Sequence, residues 1–189
     1  MQEIFLQRIG MPSPRKVQPP AMPSGKGRRP GGIPYFEPVP VERKYLVLRV
    51  PPEVERLIPS VIYQGWLSLD PHGVEICVRQ SGKECTLTFL KKQGQQLKLE
   101  EEMPISRPQF DKLWLLSSGR RLTRVRYTAP VPGCDNFVVD VYQGKLGGLV
   151  TATLTFPSAD ACQRFHMPDW LGDDVSGDPR YTNETLAQA

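Results

Sequence analysis

The sequence predicts an α+β domain built mainly of short antiparallel strands. Three observations carry this. About eight runs between Val41 and Phe156 alternate in hydropathy and are separated by turn signals at hairpin spacing. Two stretches, Arg107 to Leu116 and Ala159 to Phe165, read instead as helices. The first places Phe110, Leu113 and Trp114 on one helical face. Several strands also carry charge on a single parity, beginning with Glu42 and Lys44 on the first.

The elements follow in order. Strand 1 covers about 41–49, with Val41, Arg43, Tyr45 and Val47 on one side and Glu42, Lys44 and Leu46 on the other. Pro51-Pro52 opens a short helix through about Leu57, where proline suits the first turn. Val61 to Leu69 is the next strand. Asp70-Pro71-His72-Gly73 then turns the chain, since proline fixes φ and glycine accepts a positive one. Val74 to Arg79 returns. Ser81-Gly82 leads into Glu84 to Leu90, and Gln93-Gly94 into Leu97 to Met103. Ser106 ahead of Pro108 is a helix start, and Ser117-Ser118-Gly119 a stop. Arg121 to Tyr127, Phe137 to Tyr142 and Leu149 to Phe156 are three further strands.

Such a set closes into a barrel or stacks as two sheets. The charged parities bear on the choice: Glu42 and Lys44, Glu75 and Arg79, Lys98, Glu100 and Glu102, Arg124 and Arg126, and Asp140. A sandwich core does not tolerate them, because an unpaired buried charge costs several kcal/mol. A closed barrel with a hydrated interior does, with Val41, Tyr45, Ile76, Val78, Leu87, Phe89, Val125, Tyr127, Val139 and Val141 turned outward against the helices. The same charges also fit the solvent face of an open sheet, and patterning alone leaves both readings standing.

Composition narrows the classes. The chain has 189 residues, 39% apolar and 23% charged, which suits a soluble globular protein of one domain plus a tail. No run approaches a membrane span, and the expected location is the cytoplasm. The four cysteines, Cys77, Cys85, Cys134 and Cys162, form no CxxC pair, so zinc is not expected and the thiols read as reduced. The two histidines, His72 and His166, fall in turn-like contexts without the partners of a metal or nucleophile site.

Residues 1–40 form a separate region. They hold six basic and two acidic residues, the whole of the net +4, leaving 18 of each sign in 41–189. The folded part is therefore neutral, and nucleic acid is not its expected partner. Nine prolines in 11–40 are incompatible with helix or central strand, so this leader is expected to be extended or disordered. It reads as a solvated linker, or as sequence upstream of a true start at Met11 or Met22. Its Lys26-Gly27-Arg28-Arg29 cluster offers the alternative of an arm for an acidic or protein partner.

Several motifs, in order, carry a resemblance. Glu42-Arg43-Lys44-Tyr45-Leu46-Val47 is similar to the end of the E-x-E-x-K signature of the CYTH superfamily, the triphosphate tunnel metalloenzymes. Gln64-Gly65-Trp66-Leu67 resembles its Q-G-Y-L strand, and Arg124-Val125-Arg126-Tyr127 its K-T-R-Y strand. Phe137 to Gly144 resembles W-E-V-D-x-F-x-G, Gly148-Leu149-Val150 resembles G-L-V, and Trp170-Leu171-Gly172 with Gly177 to Asn183 resembles the end of bacterial members. The resemblance spans about 41–186. It implies an eight-stranded antiparallel β-barrel with flanking helices over 41–189, a tunnel that binds triphosphate between basic residues, and Mg²⁺ or Mn²⁺ held by glutamates. It is also compatible with a homodimer.

The departures shape the functional expectation. The first signature glutamate falls at Pro40, the glutamate of W-E-V-D at Val138, and the final A-E-I-E pair at Thr153 and Thr155. Two arginines of the family fall at Glu75 and Cys77, and a lysine at Leu90 beside Lys91. A hard divalent cation wants several oxygen ligands, usually carboxylates. The sequence-level expectation is therefore a pseudoenzyme without catalytic or metal residues. Lys44, Arg79, Arg124 and Arg126 would bind a phosphate-rich anion such as tripolyphosphate, polyphosphate or a nucleotide. Glu42, Glu100, Glu102 and Asp140 would be tunnel acids paired with them, and surface contacts would serve an accessory role. The alternative is an active metal-dependent inorganic triphosphatase in which those four acids rebuild a site for Mg²⁺ or Mn²⁺.

Overall fold

A computed structural model describes residues 41–70, 74–93, 96–131 and 134–189. The leader 1–40, the turn at 71–73 with His72, and Gly94 of the Gln93-Gly94 turn lie outside the described residues.

The chain builds β1 (Val41–Val47), α1 (Pro52–Glu55), β2 (Ser60–Ser68), β3 (Glu75–Ser81), β4 (Glu84–Gln93) and β5 (Gln96–Pro104). It continues with α2 (Arg107–Leu116), β6 (Arg121–Val131), β7 (Cys134–Tyr142), β8 (Val150–Phe156), α3 (Ala159–Arg164), β9 (Leu171–Asp174) and α4 (Asn183–Leu186). Local chemistry explains the boundaries. Ser106 caps α2 in a capping box: its hydroxyl accepts from the Gln109 N–H, and Gln109 Oε1 accepts from the Ser106 N–H at 2.7 Å. Gly119, at φ +78, takes the left-handed conformation that follows the helix. Gly82, at φ +57, does the same for the β3–β4 turn.

All strands form one antiparallel sheet in the order β5-β4-β3-β2-β6-β7-β8-β1-β9. This differs from the closed eight-stranded barrel expected from the resemblance. The edge of β1 that would meet β5 on closure is taken by β9, with Tyr45 opposite Asp174 and Val47 opposite Leu171. The sheet therefore keeps two edges, β5 and β9. The strand β9 was not anticipated, because four residues with two adjacent aspartates show no alternation.

The two faces divide as the parities predict. One face is apolar and covered. Phe137, Val139, Ala152, Leu154 and Phe156, each at most 1% exposed, pack with Val54 of α1 and with Trp170 and Leu171. Phe165, just past α3, meets Phe156 edge to face with centroids 5.1 Å apart. Farther along, Val78 and Cys85 pack under Phe110 of α2, and Tyr63 meets Trp114 edge to face at 6.2 Å. Among the described residues no helix is long and apolar enough to cross a membrane.

Gly65 lies beneath α2 where a side chain has no room. A Cβ there would stand 2.8 Å from Ser117 Cβ and 3.0 Å from the Trp114 ring. Gly65→Ala is expected to cost about 1–3 kcal/mol as α2 is pushed off the sheet. The check is urea unfolding: a lower midpoint at unchanged slope supports this packing, and an unchanged midpoint refutes it.

Candidate functional site

The opposite face is the polar one, and strand register assembles it. Residues directly opposite each other in paired strands share a face. Glu42 stands opposite Thr155, Lys44 opposite Thr153, and Thr151 opposite Asp140. Asp140 stands opposite Arg126, Tyr142 opposite Arg124, and Leu122 opposite Gln64. Gln64 stands opposite Arg79, Arg79 opposite Thr86, Thr88 opposite Glu102, and Leu90 opposite Glu100. Lys44, Arg79, Arg124, Arg126, Glu42, Glu100, Glu102 and Asp140 therefore all lie on one face.

They do not form one cluster. The centre is Asp140, buried at 6% side-chain exposure. Arg126 holds both of its oxygens, Nε to Oδ1 and Nη2 to Oδ2, each at 2.7 Å. Arg124, at 3% exposure, approaches the same carboxylate with Nε 3.4 Å from Oδ2, an ion-pair contact without hydrogen-bond geometry. Its Nη2 donates to Gln64 Oε1 at 3.0 Å. The Glu100 and Glu102 side chains lie apart, exposed on the edge strand β5, where Glu102 accepts from the Thr88 hydroxyl at 3.2 Å. Glu42 is exposed near the start of β1.

The electrostatics show an excess of cations around one carboxylate. Burial lowers the Arg124 pKa, with Asp140 opposing and Arg126 and Arg79 adding to the fall. Burial also works against Arg126, but its hydrogen bonds and ion pair with Asp140 outweigh it and leave that pKa raised. Lys44 is lowered chiefly by burial, against the pull of Glu42 and Asp140 and with the push of Arg124. Buried donors on this face also lack acceptors among the described residues: Arg124 Nε and Nη1, Arg79 Nε and Trp66 Nε1. The Thr86 hydroxyl is likewise buried without a partner among the described residues. Each unmatched group costs about 1–3 kcal/mol until something accepts from it.

The C-terminal segment crosses this face. The Val175 N–H donates to the Lys44 carbonyl at 2.8 Å, and the Lys44 N–H donates to Ser176 Oγ at 2.9 Å. Lys44 Nζ donates to the Tyr181 carbonyl at 3.0 Å. Leu186 and Ala187 then pack on Trp66, Cys77, Leu122 and Tyr142, the apolar end of the face. Between β1 and this segment lies a cavity of about 210 Å³, lined by Glu42, Lys44, Ser176, Tyr181, Asn183 and Glu184 among others. Sequence reasoning missed Gln64, Thr151 and Trp66 as members of the face, because β2 and β8 carry no charged residue to mark the parity. It missed the path of the C-terminal segment altogether.

A polar face on one side of a single antiparallel sheet is what the tunnel-fold class presents, and the chain is a member of the CYTH superfamily of triphosphate tunnel proteins. It is 37% identical over 147 residues to an inorganic triphosphatase of Nitrosomonas europaea, covering 78% of this chain and 95% of that one. It is 29% identical over 150 residues to an inorganic triphosphatase of Acetivibrio thermocellus, covering 78% of this chain and 92% of the relative. The crystal structure of the inorganic triphosphatase NE1496 superimposes with a TM-score of 0.66 at 34% identity, over 80% of this chain and 95% of that one. No family model matches the chain.

These similarities correct the expectation of a pseudoenzyme. A relative 37% identical over most of the chain and named for triphosphatase activity favours the active alternative.

The implied divalent metal is a separate matter, and the donor set does not fit it. Asp140 is engaged by two arginines, and Thr151, Thr153 and Thr155 on β8 offer only hydroxyls beside it. Among the described residues no group of three or more His, Cys, Asp or Glu side chains is placed to hold a metal ion. The four acids Glu42, Glu100, Glu102 and Asp140 therefore do not rebuild one shared metal centre.

Asp140→Asn leaves two guanidiniums at 3% and 26% exposure without their carboxylate. It is expected to lower unfolding stability by about 3–5 kcal/mol. Thermal and urea denaturation read this directly, and wild-type stability in the variant would disprove the pairing.

Proposed function

We propose that the chain is an inorganic triphosphatase that hydrolyses tripolyphosphate to pyrophosphate and phosphate on the polar face. One observation carries this reading. Arg124 is a buried guanidinium whose Nε and Nη1 have no hydrogen-bond acceptor among the described residues, close to Arg126 and Arg79 and sharing the Asp140 carboxylate with Arg126. Such a group is stable where a polyanion supplies the missing acceptors. The similarity to two inorganic triphosphatases supports the same substrate.

The residues take distinct roles. Arg124 and Arg79 bind phosphate oxygens through their unmatched N–H groups. Arg126 is held rigid by Asp140 and presents its remaining edge to the same chain. Lys44 neutralises charge near the C-terminal segment. Water attacks a terminal phosphorus, the bridging P–O bond breaks, pyrophosphate leaves with the bonding electrons, and the proton of the attacking water is released. Charge spreads over the phosphoryl oxygens as this happens, and preorganised cations stabilise it more than water does. The polar face then forms the wall of a tunnel whose open side is covered by residues 175–187 rather than by a β5–β1 pairing.

The test is phosphate release from tripolyphosphate, assayed with and without divalent cation. Wild-type protein is expected to turn over, and Arg124→Gln to lose about 100-fold or more in kcat/KM. Absence of release under every condition overturns the reading, as does full activity in the variant.

A pH dependence follows from Lys44. Its pKa is lowered by burial. Anion binding needs the protonated form, so KM should rise with pH before an ordinary lysine would lose its proton. Lys44→Arg, which stays protonated, is expected to remove that alkaline rise. An identical KM–pH profile in wild type and variant would exclude Lys44 from binding.

A further inference from the structure

The triphosphate reading leaves open which form of the substrate the face accepts. Tripolyphosphate exists in solution as a free polyanion and as complexes with divalent cations. The two forms make opposite demands on a protein. A complexed magnesium needs oxygen ligands beyond those of the phosphates, and carboxylates or water supply them. The free polyanion needs only cations and N–H or O–H donors.

We propose that this face takes tripolyphosphate as the free polyanion, and that divalent cation competes with the protein for it. The inference rests on the triphosphate reading above. Three observations on this chain carry it. The buried centre has two guanidiniums on one carboxylate, and Arg126 takes both oxygens of Asp140 at 2.7 Å. No lone pair of that carboxylate is cheaply released to a metal, because freeing it strands two cations. The neighbouring positions on β8, opposite Asp140, Lys44 and Glu42, are Thr151, Thr153 and Thr155, which carry no charge. Among the described residues the unmatched polar atoms on this face are mostly donors: two N–H groups of Arg124, one of Arg79, the Trp66 indole and the Thr86 hydroxyl. That set is complementary to phosphate oxygens and repels a dication. Magnesium on the substrate would cover the oxygens these donors need and bring its charge against Arg124, Arg126 and Arg79.

Binding calorimetry on the full chain tests this, with sodium tripolyphosphate titrated in EDTA and in several millimolar Mg²⁺. The expected result is binding in EDTA that weakens about tenfold or more in magnesium. Arg79→Gln and Lys44→Gln, at half-buried positions, should each weaken the metal-free binding by about tenfold. Binding seen only with Mg²⁺, or tightened by it, overturns the proposal while leaving the triphosphate reading intact. Absence of binding under both conditions overturns the triphosphate reading itself. Metal-free binding unchanged in both variants overturns the proposal too, since the anion is then held elsewhere, for instance by the basic residues of 1–40. A melting curve on each variant separates lost binding from lost fold.

Discussion

One carboxylate shared by two guanidiniums organises the polar face. Asp140 sits on β7 opposite Arg126 of β6, and Arg124 lies two residues along the same strand. Nothing in the register allows the three to separate without breaking the β6–β7 ladder. Asp140 is shared between Arg124 and Arg126, while Lys44 also feels Glu42 and Glu184. Burying these charged groups costs stability. The stability to tolerate it comes from the other side of the same strands, where Val139, Ala152, Leu154 and Phe156 are fully buried under α1 and Trp170.

The face is also divided along its length. Its middle is cationic, and its end at Trp66, Cys77, Leu122 and Tyr142 is apolar and covered by Leu186 and Ala187. A phosphate chain has nothing to gain from the apolar end. The anion of the proposed function would therefore lie in the stretch between Lys44 and Arg79.

How much of this was legible in the sequence depends on the length scale. The strand period of two puts Glu42 with Lys44, Arg124 with Arg126, and Glu100 with Glu102 on the same side without any knowledge of pairing. Register then joined these pairs across strands, and the predicted lining residues fell together on one face. The α2 boundaries were readable because Ser106, Gln109 and Gly119 act locally. Long-range facts were not readable. Nothing local in Leu171–Asp174 says that it pairs with β1 and so takes the edge a closed barrel would use. Nothing local in Asn183–Leu186 says that it crosses the polar face. The inactive reading is overturned by similarity over most of the chain to a protein named an inorganic triphosphatase, which Pro40, Thr153 and Thr155 taken one at a time do not reveal.

The covering segment is the least cooperative part of the architecture. A single helical turn, anchored chiefly by Leu186 and Ala187, is far below the length at which a helix holds itself together. It can fray at a free-energy cost well under that of global unfolding, while the nine-stranded sheet keeps its register. For the proposed triphosphate, entry and exit would thereby be uncoupled from the sheet geometry that grips it.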